Sequence, residues 1–382
     1  MKKSLSFLAL LLILLAVSCA PVAPTPPPAV ATELARMDQA GERLPGRYGV
    51  FLAPVDASEL RQIYGGNRLR NYLRVSPDGE WVVYVEYASD ENDDGYSNQA
   101  DIKGTEIGVM RVDGSEARLL TSNDRVDTTP TWAPDGEHIL FASDRDNEDY
   151  RYDLFVMDLY GENVVNVTNT PNVIEVDPSW AGATIVAILL PIEDENTPPT
   201  LQAIWAMDCD LTDLEACGTN VRQLTFPNID KQSENYIFGD FNPRISPDGT
   251  TVAFYRHRNE DWSLANIPIG DIDIMTIPLE GGAETTVSQG AEADLMPAWS
   301  PDGTRLAFAV IAPSDDEENP LENANDLVVM NVDGGNRRLV EGPLDLMFEQ
   351  MPDWVPAGAL GDNDEDWLIF SGEWWDGNPE QD

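Results

Sequence analysis

Twelve consecutive residues, Asp90-Glu91-Asn92-Asp93-Asp94-Gly95-Tyr96-Ser97-Asn98-Gln99-Ala100-Asp101, set oxygen donors at alternate positions. Asp90, Asn92 and Asp94 fit positions one, three and five of an EF-hand-type calcium loop, and Gly95 supplies the sharp turn at position six. The Tyr96 carbonyl would serve at seven and Asn98 at nine. Asp101 stands at twelve, where glutamate is usual, and its shorter arm weakens bidentate coordination. Helices are not expected on either side, so the sequence predicts a calcium loop inserted between strands, where bound calcium orders the loop. A solvated acidic turn is the competing reading. An extracellular site of this kind works at an affinity on the order of 10⁻⁴ to 10⁻³ M. Asp362-Asn363-Asp364-Glu365-Asp366 and Asp315-Asp316-Glu317-Glu318 are weaker candidates, without the glycine or the spacing.

Other chemistry is sparse. The chain has three cysteines and two histidines. Cys209 and Cys217 lie eight residues apart around a turn-rich segment and suit a local disulfide in an oxidising compartment. His138 and His257 cannot build a multi-histidine metal centre. His138 falls in a strand and reads as structural; His257 opens a loop. The sequence holds no Gly-x-Ser-x-Gly elbow and leaves no residues for a separate hydrolase domain. A carboxylate pair acting on glycosidic bonds stays open, because acids are abundant and their spatial separation is not legible in sequence.

The elements that must carry these residues repeat along the chain. Leu73-Arg74-Val75-Ser76-Pro77-Asp78-Gly79 has counterparts in Pro130-Thr131-Trp132-Ala133-Pro134-Asp135-Gly136, Pro243-Arg244-Ile245-Ser246-Pro247-Asp248-Gly249 and Pro297-Ala298-Trp299-Ser300-Pro301-Asp302-Gly303. Degenerate copies are Pro178-Ser179-Trp180 and Pro352-Asp353-Trp354. The tryptophan-equivalent positions 75, 132, 180, 245, 299 and 354 are spaced by 57, 48, 65, 54 and 55 residues, enough for four short strands and their loops. Proline fixes φ for the second turn position, and glycine accepts the conformation after it. An apolar strand follows each turn: Trp81 to Tyr84, Ile139 to Phe141, Val252 to Tyr255, Leu306 to Phe308. The tryptophan is read as packing between neighbouring units. Second hairpins follow at Ile107 to Gly114, Leu154 to Leu159, Ala203 to Asp208, Asp273 to Gly282 and Leu327 to Gly335.

These residues resemble the TolB-type β-propeller repeat, whose hallmark is Trp-Ser-Pro-Asp-Gly, an apolar strand and then Ser-Asp. Ser143-Asp144-Arg145-Asp146, after Phe141, matches that continuation. The resemblance covers roughly residues 46 to 376 and does not extend to the separate N-terminal domain of TolB. The last copy has strands near Trp354 and at Trp367 to Phe370, and Val55-Asp56-Ala57-Ser58-Glu59-Leu60 echoes Val112-Asp113-Gly114-Ser115-Glu116-Ala117. Residues 49–64 therefore supply the hairpin that the last blade lacks. The expected fold is all-β, a six-bladed β-propeller over residues 46–382 with its last blade closed by strands from both chain ends.

Residues 1–18 read as a signal peptide: Lys2 and Lys3 precede an apolar run from Leu5 to Val17, too short for a comfortable membrane span. Ala16-Val17-Ser18-Cys19 resembles the bacterial lipoprotein signal, with Cys19 as the lipidated residue. Ala16 stands where that motif usually has leucine, which keeps cleavage without lipidation as an alternative. Residues 19–45, with five prolines between Pro21 and Pro28, form a semi-rigid tether.

The formal charge is −45, from 68 acids and 23 bases, and cleavage before Cys19 takes it to about −47. Such a surface repels nucleic acid and anionic lipid, so no nucleic-acid partner is expected and membrane contact is through the anchor alone. Long loops near Ser89–Asp101, Ser143–Asp153, Pro191–Leu201, His257–Asp271 and Pro313–Asp326 share one face in a propeller. That face is expected to be strongly acidic and to bind a protein or glycan. The functional expectation is an exported, monomeric, non-catalytic binding and scaffolding module, at the cell surface or in the periplasm. The alternative is an extracellular polysaccharide hydrolase or lyase on the same scaffold.

Overall fold

The computed structural model describes residues 47–87, 104–147, 151–191, 202–227, 239–257, 272–290, 292–311, 325–340, 348–360 and 365–373. The chain opens with a hairpin of β1 (Tyr48–Pro54) and β2 (Arg61–Gly66). Blade one follows as β3 (Arg70–Val75), β4 (Trp81–Tyr87), β5 (Thr105–Arg111) and β6 (Arg118–Leu119). Blade two is β7 (Asp127–Trp132), β8 (His138–Ser143), β9 (Asp153–Asp158) and β10 (Val165–Asn166). Blade three is β11 (Val173–Ala181), β12 (Thr184–Pro191), β13 (Ala203–Asp208) and β14 (Thr219–Gln223). Blade four is β15 (Gly239–Ile245), β16 (Thr251–His257), β17 (Ile272–Pro278) and β18 (Thr285–Thr286). Blade five is β19 (Ala293–Trp299), β20 (Arg305–Ile311), β21 (Asn325–Asn331) and β22 (Arg338–Leu339).

Blade six joins the two ends of the chain. β23 (Phe348–Val355) pairs with β24 (Trp367–Glu373), and β24 pairs antiparallel with β1 from Tyr48↔Glu373 to Pro54↔Trp367. The order is β23-β24-β1-β2, so the six-bladed ring closes as the sequence predicts. Closure removes two strand edges that would otherwise template aggregation. It also completes two apolar clusters: Phe51 stacks on Phe370 with ring centroids 5.8 Å apart, and Val50 and Leu52 pack with Leu73, Tyr84 and Ile369.

The repeated turn is built for structure. Gly79 N–H donates to Ser76 O at 2.8 Å, and Gly79 has a φ of 75°, open to glycine at little cost. The Ser76 hydroxyl accepts the Trp81 N–H at 2.9 Å, while Asp78 accepts the Glu80 N–H at 3.0 Å. Ser246 and Ser300 repeat this with Thr251 and Arg305, at 3.0 and 2.9 Å. The serine and aspartate are thereby engaged within the turn. Glycine is needed again in the second hairpin, where a Cβ on Gly161 would lie 2.3 Å from the Leu120 carbonyl oxygen of the preceding blade.

The tryptophans stitch blades together. Trp132, Trp299 and Trp354 donate Nε1–H to the carbonyls of Arg74, Arg244 and Ala298 in the preceding blades, at 2.8, 2.9 and 3.0 Å. The first and fourth blades have Val75 and Ile245 at this position, and a different bond serves. There the backbone N–H donates to Asp353 (2.8 Å) or to the Ser179 hydroxyl (3.1 Å) of the preceding blade. Trp180 is buried in the same way, but its Nε1 has no partner among the described residues.

Candidate functional site

The six innermost strands line the central channel, and each carries a bulge at the same place. The residues there are Tyr72, Thr129, Asp177, Asn242, Met296 and Met351, three before each tryptophan-equivalent position. All six have φ between 47° and 58°, and the register of each inner pair shifts around them. None is glycine, so each holds a sparsely populated backbone conformation, of the sort that persists only where surroundings enforce it.

Neighbouring bulges brace one another. Tyr72 N–H meets Met351 Sδ at 3.1 Å, Asp177 N–H donates to the Thr129 hydroxyl at 3.3 Å, and Asn242 N–H donates to the Asp177 carboxylate. Five of the six side chains are almost wholly enclosed; Asp177 alone keeps appreciable surface. Together they form a ring of mutually braced, mostly enclosed positions on the innermost strands.

A charged cluster sits beside it, toward the Pro-Asp-Gly turns. Arg74 of blade one is enclosed, donates Nη1–H to Leu73 O at 2.6 Å, and lies within electrostatic reach of Asp353 in blade six and Asp177 in blade three. Blades one and three do not adjoin, so this interaction spans the channel. Burial pushes the Asp177 carboxyl up to about 6 against the opposing pull of Arg74 and the Asn242 N–H. Burial likewise pushes Asp353 up to about 6, opposed by Arg74 and by the N–H groups of Val75 and Trp354. Tyr72 is raised by burial and then by Asp177. Arg244 occupies the place of Arg74 in the opposite blade.

At the other end, where the long loops attach, acids occupy one register. Two residues before each bulge stand Arg70, Asp127, Glu175, Asp240, Asp294 and Glu349. Asp127, Glu175, Asp240 and Asp294 are buried. Arg145 pairs with Asp127 at 2.8 Å, Arg256 with Asp240 at 2.5 Å, and Arg337 with Asp294 at 3.1 Å. Arg70 instead pairs with Glu86 at 2.9 Å and lies over the rings of Tyr64 and Tyr84. Glu175 has no guanidinium partner among the described residues and leans on Thr168 and Thr170; burial pushes it up to about 7. Asp294 is pushed by burial to about 6, with Ser288 and Arg337 opposing.

Of the residues singled out in the sequence, Cys209 and Cys217 are joined in a disulfide with Cα atoms 4.1 Å apart, between β13 and β14. Asp90, Asn92, Asp94, Tyr96, Asn98, Asp101 and Cys19 lie outside the described residues. No group of three or more His, Cys, Asp or Glu side chains among the described residues could hold a metal. His138 Nδ1 lies 2.7 Å from Asp135 in its own turn. His257, read from sequence as opening a loop, is the last residue of β16 and fully buried. Asp366, part of a weaker acidic candidate, pairs with Arg305 at 2.6 Å. No described helix is long and apolar enough to cross a membrane.

No family model matches the sequence, and no curated protein does. Solved structures do. A TolB-assigned protein of Agrobacterium tumefaciens aligns at a TM-score of 0.58 and 14% identity, over 87% of this chain and 100% of its own. TolB of Acinetobacter baumannii aligns at 0.52 and 16%, over 85% and 71%. At this identity the likeness is one of fold. The chain is a six-bladed β-propeller, similar in fold to these two TolB structures.

Proposed function

We propose that the chain is an exported, lipid-anchored binding and scaffolding module, whose loop-bearing face takes a protein or glycan with cationic character. The observation that supports it most is the acidity of the sequence between the strands at the loop end, as in Asp90 to Asp101 and Asp315 to Glu318. Long loops on a closed, stiff scaffold suit recognition, since the scaffold contributes position and the loops contribute contacts. The Pro-Asp-Gly acids are occupied within their turns, and Asp127, Asp240 and Asp294 are paired with arginines, so charge selection falls to the acids of the loops.

Cross-linking the intact exported protein in its own envelope, then identifying the partner, tests this reading. Reversing Asp315, Asp316, Glu317 and Glu318 to lysine should lower recovery at least tenfold; equal recovery would refute a charge-selecting face. Calcium in the Asp90–Asp101 loop belongs to the same reading. Millimolar calcium should raise the melting temperature, and Asp90→Asn with Asp94→Asn should abolish the rise.

A hydrolase or lyase acting on extracellular polysaccharide is the second reading. It is favoured by one observation, the two carboxylates of Asp177 and Asp353 that both lie within electrostatic reach of Arg74. Release of reducing ends or unsaturated sugars from polysaccharides, lost in Asp177→Asn, would support it.

A further inference from the structure

The loop face does not account for the other mouth of the channel. Three enclosed polar atoms there make no hydrogen bond within the described residues: Arg74 Nε, Arg244 Nε and Asn242 Oδ1. Their residues are 7%, 9% and 5% exposed. An orphaned buried polar atom is costly, and three of them on inner strands of opposite blades call for an external partner. Asp177 and Asp353 retain some surface beside them.

The chemistry narrows what that partner is. Two guanidiniums and two carboxylates cancel, so a ligand of net charge would leave one charge uncompensated in an enclosed site. The groups alternate donor and acceptor: Arg74 and Arg244 donate, while Asn242 Oδ1 and the Asp177 carboxylate accept. Hydroxyls, each able to donate and accept, match such a set.

We propose that the channel mouth on the Pro-Asp-Gly side binds a neutral saccharide, held by Arg74, Arg244, Asp177, Asp353 and Asn242. This site is distinct from the loop face and does not depend on catalysis.

The test uses the mature protein, with saturation-transfer NMR and calorimetry against glucose, galactose, mannose, N-acetylglucosamine, cellobiose and maltose. Acetate and methylammonium serve as charged probes. At least one neutral sugar should bind at millimolar affinity or tighter. Arg244→Met and Asn242→Gly should each weaken it at least tenfold. Neither removes a hydrogen bond made by Arg244 Nε or Asn242 Oδ1 inside the fold, so melting temperatures should hold within a few degrees. Glycine tolerates the positive φ at 242. The proposal is overturned if no sugar gives saturation transfer at 20 mM, if sugars bind both variants as tightly as the parent, or if only the charged probes bind. Envelope cross-linking at the loop face is a separate readout, so failure of one proposal does not mask failure of the other.

Discussion

Trp180 and Trp299 form a natural matched pair. Both indoles are buried between blades, but Trp299 donates to the Arg244 carbonyl at 2.9 Å and Trp180 Nε1 donates to nothing described. Phenylalanine at either site removes a similar apolar area, so that cost largely cancels in the comparison. In Trp299→Phe a hydrogen bond goes and a buried carbonyl is orphaned, at roughly 1–3 kcal/mol. In Trp180→Phe an N–H that was already unsatisfied disappears, which offsets part of the packing loss. We expect Trp299→Phe to be less stable than Trp180→Phe by about 1–3 kcal/mol. Urea unfolding gives the difference from midpoints and slopes, and coincidence of circular dichroism with fluorescence checks that the transition is two-state. Equal destabilisation of the two variants would refute the hydrogen-bond argument and leave packing as the whole role of these tryptophans.

Glu175 offers a test by pH. Burial lifts its folded carboxyl from 4.5 to about 7, so the folded chain binds this proton more tightly than the unfolded chain. Its contribution is greatest below about pH 4.5 and is lost as pH rises through 7. Glu175→Gln should therefore melt later than the parent at pH 8, with the gap closing toward pH 4. Losing the disulfide in Cys209→Ser with Cys217→Ser should cost about 2–3 kcal/mol for so short a loop, read by urea unfolding, and mass spectrometry of the exported protein should find no free thiol at either position. A chain starting at Arg47 should be monomeric by light scattering. One starting at Asn67 lacks β1 and β2 and should aggregate, because β24 then presents an open edge beside an unfilled cluster. Gly161→Ala should destabilise by more than the roughly 1 kcal/mol of a routine substitution, measured by thermal melting, since backbone stands 2.3 Å from the new methyl.

The architecture was legible because its signal is local. Ser-Pro-Asp-Gly fixes a turn within four residues, and the echo of Val112–Ala117 in Val55–Leu60 identified the hairpin that closes the ring. The channel was not legible in the same way. Tyr72, Thr129, Asp177, Asn242, Met296 and Met351 share a backbone conformation and no chemistry, so residue type carries no trace of them. The signal that could have found them is the proline after the bulge in five of six copies, at 130, 178, 243, 297 and 352. The acidic register was missed for a simpler reason. The recognisable repeat begins at the residue after the bulge, and Asp127, Glu175, Asp240 and Asp294 lie three residues upstream of that point. Acidity is conspicuous in the loops, whereas part of it is fixed in strands and covered by arginines. The link between Arg74 and Asp177 joins blades one and three and depends on closure, which no local pattern encodes.

The pairing of Tyr48 with Glu373 brings the entry and exit of the chain to one end of the ring, the end from which the long loops spring. Whatever is joined to either end of residues 47–373 therefore approaches the propeller from that side and leaves the Pro-Asp-Gly mouth of the channel clear.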